Sequence, residues 1–545
     1  MQQSLFATNP VELVSIDEAA STARVSSATI RNWIKTGCLA LEKKGHIDRR
    51  ALTSFLDGRS GARKLTIRAN KSQKDGHDHG QLSSDIFGKL LNPNANLVQL
   101  SEDYQTSLSE SFRNNEGVYY TPVDIVRDLF TTHDRNVPDA TFLDPCCGSG
   151  NFIIRALELG FHLENIYGYD TDPIAIEITR RRIFELTGRE SKNIKQVDFF
   201  EDSTDVNAKI FNYIYTNPPW GKKLENRKRS ELAKLFEAGT SIDTCSLFMF
   251  ASLRRLAPGG QLGLLLPDSF FNIATFEAAR ARVLSLQLEV FIDYGRPFKG
   301  LLSKAFAFVL KNEAADIKNS TVECRAKSGT FRKQLGTFCE NPKSIINLQT
   351  KPEHDTVIRH LFRRPHVFLS GKDKWGLGIV TGNNEKFIKS ADAEGLVPVF
   401  RGSDISNNGL SEATCYITRD FSQYQQVAPL NLYQAPIKLI YKFISSTLCF
   451  YCDKEQRFIL NSANMIILND DFPIAPEQLT SLLNSEVINW LFLNLFRTHK
   501  ILRADLEAIP VHAGYFKHHS IFDEEQYVDY LSIEKDGHGA YRIKS

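Results

Sequence analysis

Residues 141-TFLDPCCGSGNFIIRALEL-159 pass from a short apolar run, through Asp-Pro and a glycine-rich turn, into a helical pattern. Strand, tight turn and helix make half of a parallel β-α-β unit, which predicts an open sheet whose ligand edge lies at the carboxyl ends of its strands. Outward from this stretch the alternation continues through 166-IYGYD, 173-PIAIEITRRRIFEL, 194-IKQVDFF, 210-IFNYIYT, 246-SLFMFASLRRL, 261-QLGLLLP, 289-EVFIDYG and 305-AFAFVLK. The implied domain, residues 85–312, is of the α/β class, a mainly parallel Rossmann-like sheet covered on both faces. Its last two strands are expected to form an antiparallel edge.

The strand ends carry the chemistry. Gly148 and Gly150 let a ligand approach the backbone, and the amides opening the next helix favour polar or anionic groups. The turn alone would suit a dinucleotide equally well. The second strand ends in 168-GYDTDP-173, where Asp170 is placed to accept from a ribose diol. The third ends in 198-DFF, where Asp198 can accept from an adenine amine and Phe199 can cover the ring. The fourth runs into 217-NPPW-220, whose two prolines must stop the strand at Thr216 and present Asn217 and Trp220 at its end.

Composition bounds the alternatives. The chain has 545 residues, 42% hydrophobic and 24% charged, enough for about three globular domains and unlike a disordered or collagenous chain. No signal peptide is proposed for the start, and the longest apolar runs are too short to cross a bilayer, so a cytoplasmic protein without membrane contact is expected. Nine cysteines are scattered without a disulfide framework. Cys449 and Cys452 read as core packing, His77 and His79 as part of a polar linker, and no metal site is assigned. A net charge of +2 announces no polyanion, so nucleic-acid contact would need local basic patches.

The series 117-GVYYTP, 144-DPCCGSGNF, Asp170, Asp198 and NPPW resembles the gamma class of DNA adenine-N6 methyltransferases from restriction-modification systems. The resemblance implies S-adenosyl-L-methionine as cofactor, with Tyr120, Thr121, Asp144, Gly148, Gly150, Asp170, Asp198 and Phe199 binding it. It also implies a mechanism. The lone pair of an exocyclic adenine amine is delocalised into the ring. If the Asn217 side-chain oxygen and the Pro218 carbonyl accept its two N–H bonds, that lone pair is aimed at the sulfonium methyl. Pro219 stiffens the turn, and Trp220 offers a stacking face. The base must first be flipped out of double-stranded DNA. The segment 296-RPFKGLLSKAFAF-308 resembles the family's later motif and nominates Phe298 as a second stacking ring. Cys146 and Cys147 lie in the cofactor turn and read as small packing residues.

Around this domain the sequence expects a flanking organisation. Residues 1–58 resemble the small helix-turn-helix domains of the MerR and excisionase type, with helices over 16–23 and 27–35, two short strands around "KKG" and a closing helix. Arg31 and Lys35 are their candidate DNA contacts. Residues 59–84 read as a flexible linker, 313–364 as a connector, 365–512 as an α+β domain resembling target-recognition domains, and 513–545 as an extension. The basic run after Trp220 nominates Lys222, Lys223, Arg227, Lys228 and Arg229 for phosphate contact, and a second set adds Arg497 and Lys500. No fused nuclease pattern stands out in residues 1–110; the family resemblance implies double-stranded DNA as the partner and admits a cognate restriction endonuclease encoded separately, on which the sequence itself is silent. Cytosine-N4 transfer, an RNA or protein-glutamine methyltransferase, and a DNA-binding regulator with a vestigial methyltransferase fold stay open as other readings.

Overall fold

The computed structural model describes residues 12–23, 30, 34, 39, 45–57, 96–107, 119–130, 137–205, 207–222, 224–298, 301, 303–407 and 409–544. The expected linker and its histidines, together with Arg31, Lys35 and Lys223, lie outside them. The chain forms two compact units, one of Met1–Gln81, Ile379–Val399 and Ala413–Ala428, the other of Leu82–Gly378, Phe400–Glu412 and Pro429–Ser545.

In the first unit, strand β1 (Leu13–Ser15) pairs antiparallel with β2 (His46–Asp48). Helix α1 (Ile16–Thr22) starts at a capping box in which Ser15 and Glu18 satisfy each other's backbone amides, and α2 spans Arg49–Asp57. Val14, Ala19, Ile30, Ile47 and Leu52 share a buried cluster. The partner of β2 is therefore the segment before α1. Of the expected second helix, only Ile30 and Ile34 are described. Elsewhere in this unit Leu396 pairs with Thr418 and Val397 with Ile417.

The second unit is built on a nine-stranded sheet. Its strands are β3 (Phe142–Asp144), β4 (Ile166–Asp170), β5 (Ile194–Gln196), β6 (Phe211–Thr216), β7 (Leu256–Pro267), β8 (Leu286–Gly295), β9 (Ala305–Ala314), β10 (Thr321–Ala326) and β11 (Gly329–Gln334), in the order β11-β10-β8-β9-β7-β6-β3-β4-β5. Strands β3 to β7 pair in parallel, as the alternation predicts, and β6 stops at Thr216 where the prolines begin. The edge differs from expectation. Strand β9 inserts antiparallel between β7 and β8, and the hairpin β10-β11 adds beyond β8, with β10 parallel to it. Residues 321–334, expected in a connector, are thus part of the sheet. Val322 and Cys324 alternate with more exposed neighbours and are fully buried, so this hairpin hides one apolar face only by joining β8.

Helix α3 (Leu97–Ser107) precedes the sheet, α4 (Asn151–Glu158) follows β3 and α5 (Pro173–Thr187) follows β4. Helix α5 shows why the sequence folds locally: the Asp172 side chain caps the Ile174 amide, proline occupies the first turn, and Gly188 ends the helix at φ +67°. Its inner face buries Ile174, Ile178 and Ile183, and each such side chain stabilises the fold by about 1.5–3 kcal/mol.

Later in the same unit a four-stranded antiparallel sheet, in the order Asp373–Leu377, Ala463–Leu468, Lys438–Lys442 and Phe450–Asp453, is accompanied by helices Pro476–Asn484 and Glu486–Leu495, an α+β arrangement. The Lys438 ammonium, fully buried, meets the Asp453 carboxylate at 2.5 Å. Cys449 and Cys452 are free thiols. Among the described residues no helix is long and apolar enough to cross a membrane.

Candidate functional site

A cavity of about 210 Å³ opens where β3, β4 and β6 end, and its wall includes Tyr120, Gly148, Asp170, Asp198, Phe199, Asn217 and Pro219. The strand-end residues expected from the sequence are thus largely brought together. Asp170, last in β4, accepts from the Gly148 amide (2.8 Å) and the Asp172 amide (3.0 Å), so its carboxylate ties the glycine turn to the next strand. Burial pushes the carboxyl above its ordinary range, opposed by the amides of Asp172, Gly148 and Thr171.

The two glycines divide: Gly148 lines the cavity as expected, whereas Gly150 does not. Both have left-handed backbones, φ +48° at Gly148 and +86° at Gly150, and a Cβ would lie 2.9 Å from the Tyr120 ring at the first and 2.7 Å from the Thr179 methyl at the second. They are needed for the turn and its packing. The Thr179 hydroxyl donates to the Gly148 carbonyl at 2.8 Å, and Arg182 donates to the Ser149 carbonyl at 2.5 Å and to Asn151 Oδ1 at 2.8 Å. Helix α5 therefore clamps the turn from behind.

Asp144 and Thr121 also stand off the wall. Asp144 is fully buried, its Oδ1 accepts from the Cys146 amide, and burial pushes its carboxyl up to about 7. Thr121 contributes a backbone carbonyl that accepts from Asn151 Nδ2 at 2.8 Å. Asp198 caps the short helix Phe199–Asp202 through Phe200, and Phe199 stacks on Phe248 with centroids 5.6 Å apart.

Asn217 donates through Nδ2 to the Tyr119 carbonyl at 2.8 Å, which leaves its Oδ1 buried without a protein partner. The Tyr120 hydroxyl is buried without a partner too. Orphaned polar atoms on a cavity wall mark where a ligand's own polar groups belong. An acceptor pair for a diol, an aromatic cover and these two atoms fit the adenosylmethionine expected here.

Trp220 and Phe298 do not bracket an empty slot as a sandwich requires. They pack edge to face, with centroids 5.4 Å apart and planes at 85°, Phe298 also meets Tyr119, and both rings are buried. The indole N–H donates to the Leu265 carbonyl at 3.2 Å. Neither ring lines the cavity, and Pro218 does not either.

The basic candidates divide. Arg227 and Arg229 are on helix α6 (Asn226–Leu235), where Arg227 pairs with Glu231 and Arg229 with Asn226. Lys228 pairs with Asp198, 3.0 Å from its Oδ2, while its side chain stays partly exposed. Lys222 lines the cavity. Arg497 donates to the Gln349 carbonyl from a left-handed backbone, φ +46°, and Lys500 is exposed.

Sequence reasoning missed Tyr104 and Asp172. The Tyr104 hydroxyl donates to Asp172 Oδ2 at 2.6 Å, and both residues line the cavity. The stripe Leu97, Leu100, Tyr104 packs on Ile174 and Ile178, and this helical spacing was the available signal.

Residues 100–285 match the model of the N-6 DNA methylase family, and 397–511 that of the TaqI-like C-terminal specificity domain. The chain is 43% identical over 410 residues to type II methyltransferase M.VspI of Vibrio sp. (strain 343), a span of 75% of this chain and 100% of that protein. Among solved structures it resembles DrdV in complex with DNA (TM-score 0.51, 12% identity, 89% of this chain and 63% of that one). It likewise resembles the type IIL restriction-modification enzyme MmeI in complex with DNA (TM-score 0.50, 11% identity, 76% and 70%).

Proposed function

Because this chain belongs to the N-6 DNA methylase family, as an S-adenosylmethionine-dependent adenine methyltransferase of DNA, we propose that it is a gamma-class modification enzyme of a type II restriction-modification system, acting on an adenine flipped out of the duplex. The observation that carries the reading is the buried, unpartnered Asn217 Oδ1 on the wall of the strand-end cavity.

When bound, S-adenosylmethionine supplies an electrophilic methyl group on a sulfonium. The chain's own residues do the rest. Asn217 Oδ1 accepts one N–H of the target amine and the Pro218 carbonyl the other, which draws the lone pair out of conjugation and orients it. Asp170 holds the ribose diol, Asp198 the purine amine, and Phe199 covers that ring. Asn217 Oδ1 is buried, so its hydrogen bond to the amine is stronger than in solution. Entry of the flipped base requires Trp220 and Phe298 to part, after which either face can stack on it. Residues 397–511 read the target sequence, and residues 1–58, which resemble a helix-turn-helix domain, act as a tether or a separate regulator. A separately encoded endonuclease blocked by the same methylation completes the system.

Sequencing of DNA from cells expressing the protein, by a method that distinguishes N6-methyladenine from N4-methylcytosine, tests the reading. One adenine-methylated motif is expected with the wild-type chain, still present after deletion of residues 1–80 and absent with Asn217→Ala. Methylation of cytosine, or a changed motif in the deletion variant, overturns the corresponding part.

A further inference from the structure

Both oxygens of Asp198 are already engaged by protein: Oδ1 accepts from the Phe200 amide at 2.9 Å, and Oδ2 from the Lys228 ammonium at 3.0 Å. Lys228 stands on α6, directly after the loop that carries Asn217, Pro219, Lys222 and Leu224 along the cavity wall. Its neighbour Arg227 has a side chain 88% exposed and pairs with Glu231 on its own helix, whereas the Lys228 side chain is 39% exposed, faces Asp198 and has Glu201 Oε1 at 3.8 Å. One cation of the basic run, though partly exposed, is thus engaged by the carboxylate on the cavity wall.

A carboxylate held by one donor can still rotate about its last torsion. Two donors on different oxygens fix its plane, and with the plane the direction of the lone pairs that remain. An acceptor fixed in this way discriminates between a ring that offers N–H and one that offers oxygen, because the wrong ring leaves the acceptor unpaired or opposed. We propose that Lys228 is a positioning residue for the reaction: acting through Asp198, it selects a purine with an exocyclic amine at the cofactor's base end. The inference rests on the reading that Asp198 accepts from that amine.

The test is equilibrium binding, by calorimetry on the full chain, of S-adenosylhomocysteine and of its inosine counterpart, which carries oxygen in place of the amine. The wild-type chain is expected to prefer the adenosine form by about tenfold or more. Lys228→Met is expected to cut that preference to less than about threefold, and Lys228→Arg, which keeps a donor, to retain it. A Lys228→Met variant that weakens both ligands equally, leaving the preference intact, overturns the positioning role while the Asp198 reading stands. A wild-type chain that binds both ligands equally overturns the Asp198 reading and the proposal with it.

Discussion

The Asn217 side chain and the Tyr119 carbonyl are joined by a 2.8 Å hydrogen bond, and this bond decides which end of the amide faces the cavity. A carbonyl can only accept, so Nδ2 must turn to it and Oδ1 is left as the acceptor for a ligand. The same bond ties the NPPW turn to the segment before helix Val123–Leu129, whose other end is held where Asn151 donates to Thr121.

Asn217→Ala is therefore expected to lower the rate of methyl transfer by about 100-fold or more, the scale of one lost transition-state hydrogen bond. Cofactor affinity should change by less than about tenfold, since Asn151 still anchors Thr121. Single-turnover kinetics alongside cofactor titration separates the two quantities. A near-normal rate would remove Asn217 from the chemistry.

The edge-to-face contact of Trp220 and Phe298 makes Phe298 part of the core as well as a stacking candidate. Phe298→Ala should cost about 3 kcal/mol of stability, as for other buried phenylalanines. If the ring also receives the base, the variant should weaken binding of DNA with 2-aminopurine at the target position by about 1–3 kcal/mol and alter the probe's fluorescence. Loss of stability with unchanged DNA binding would assign Phe298 to packing alone.

Gly150→Ala places a Cβ 2.7 Å from the Thr179 methyl on a backbone at φ +86°. The variant is expected to lose cofactor affinity and about 1–3 kcal/mol of stability, the usual scale of overpacking. Adding Thr179→Ala removes the clash but also the hydroxyl's bond to the Gly148 carbonyl, and the left-handed backbone strain remains, so recovery should be partial at most. Denaturant titrations of the single and double variants give both figures.

Burial pushes the Asp505 carboxyl up to about 7, opposed by its bond from the Leu502 amide and by the charges of Lys343 and Arg280. The folded state thus prefers the protonated form more than the unfolded chain does. This contribution to stability is complete below about pH 4 and is lost as pH rises through about 7. Asp505→Asn cannot titrate, so its stability should fall less than that of the wild type between pH 4 and 8, by a few kcal/mol at most. Equal pH slopes for the two chains in urea titrations would refute the assignment.

The glycine turn, the end of β6 at Thr216 and the clustering of Asp170, Asp198 and Asn217 at strand ends were legible in the amino-acid order. Each depends on a few neighbouring residues whose backbone preferences act locally: proline stops a ladder and glycine admits a left-handed turn. The insertion of β9 between β7 and β8, and the recruitment of residues 321–334 to the sheet, were not legible. Any of these apolar strands satisfies the same alternation, and pairing is settled by which distant face is left to cover. The same holds for long side chains. Lys228 reads as one charge among several until folding brings Asp198 within 3.0 Å, and Tyr104 as one more apolar position until Asp172 meets its hydroxyl. Local turn chemistry thus placed the site at the strand ends, while contacts between residues far apart in the chain settled which side chains face it.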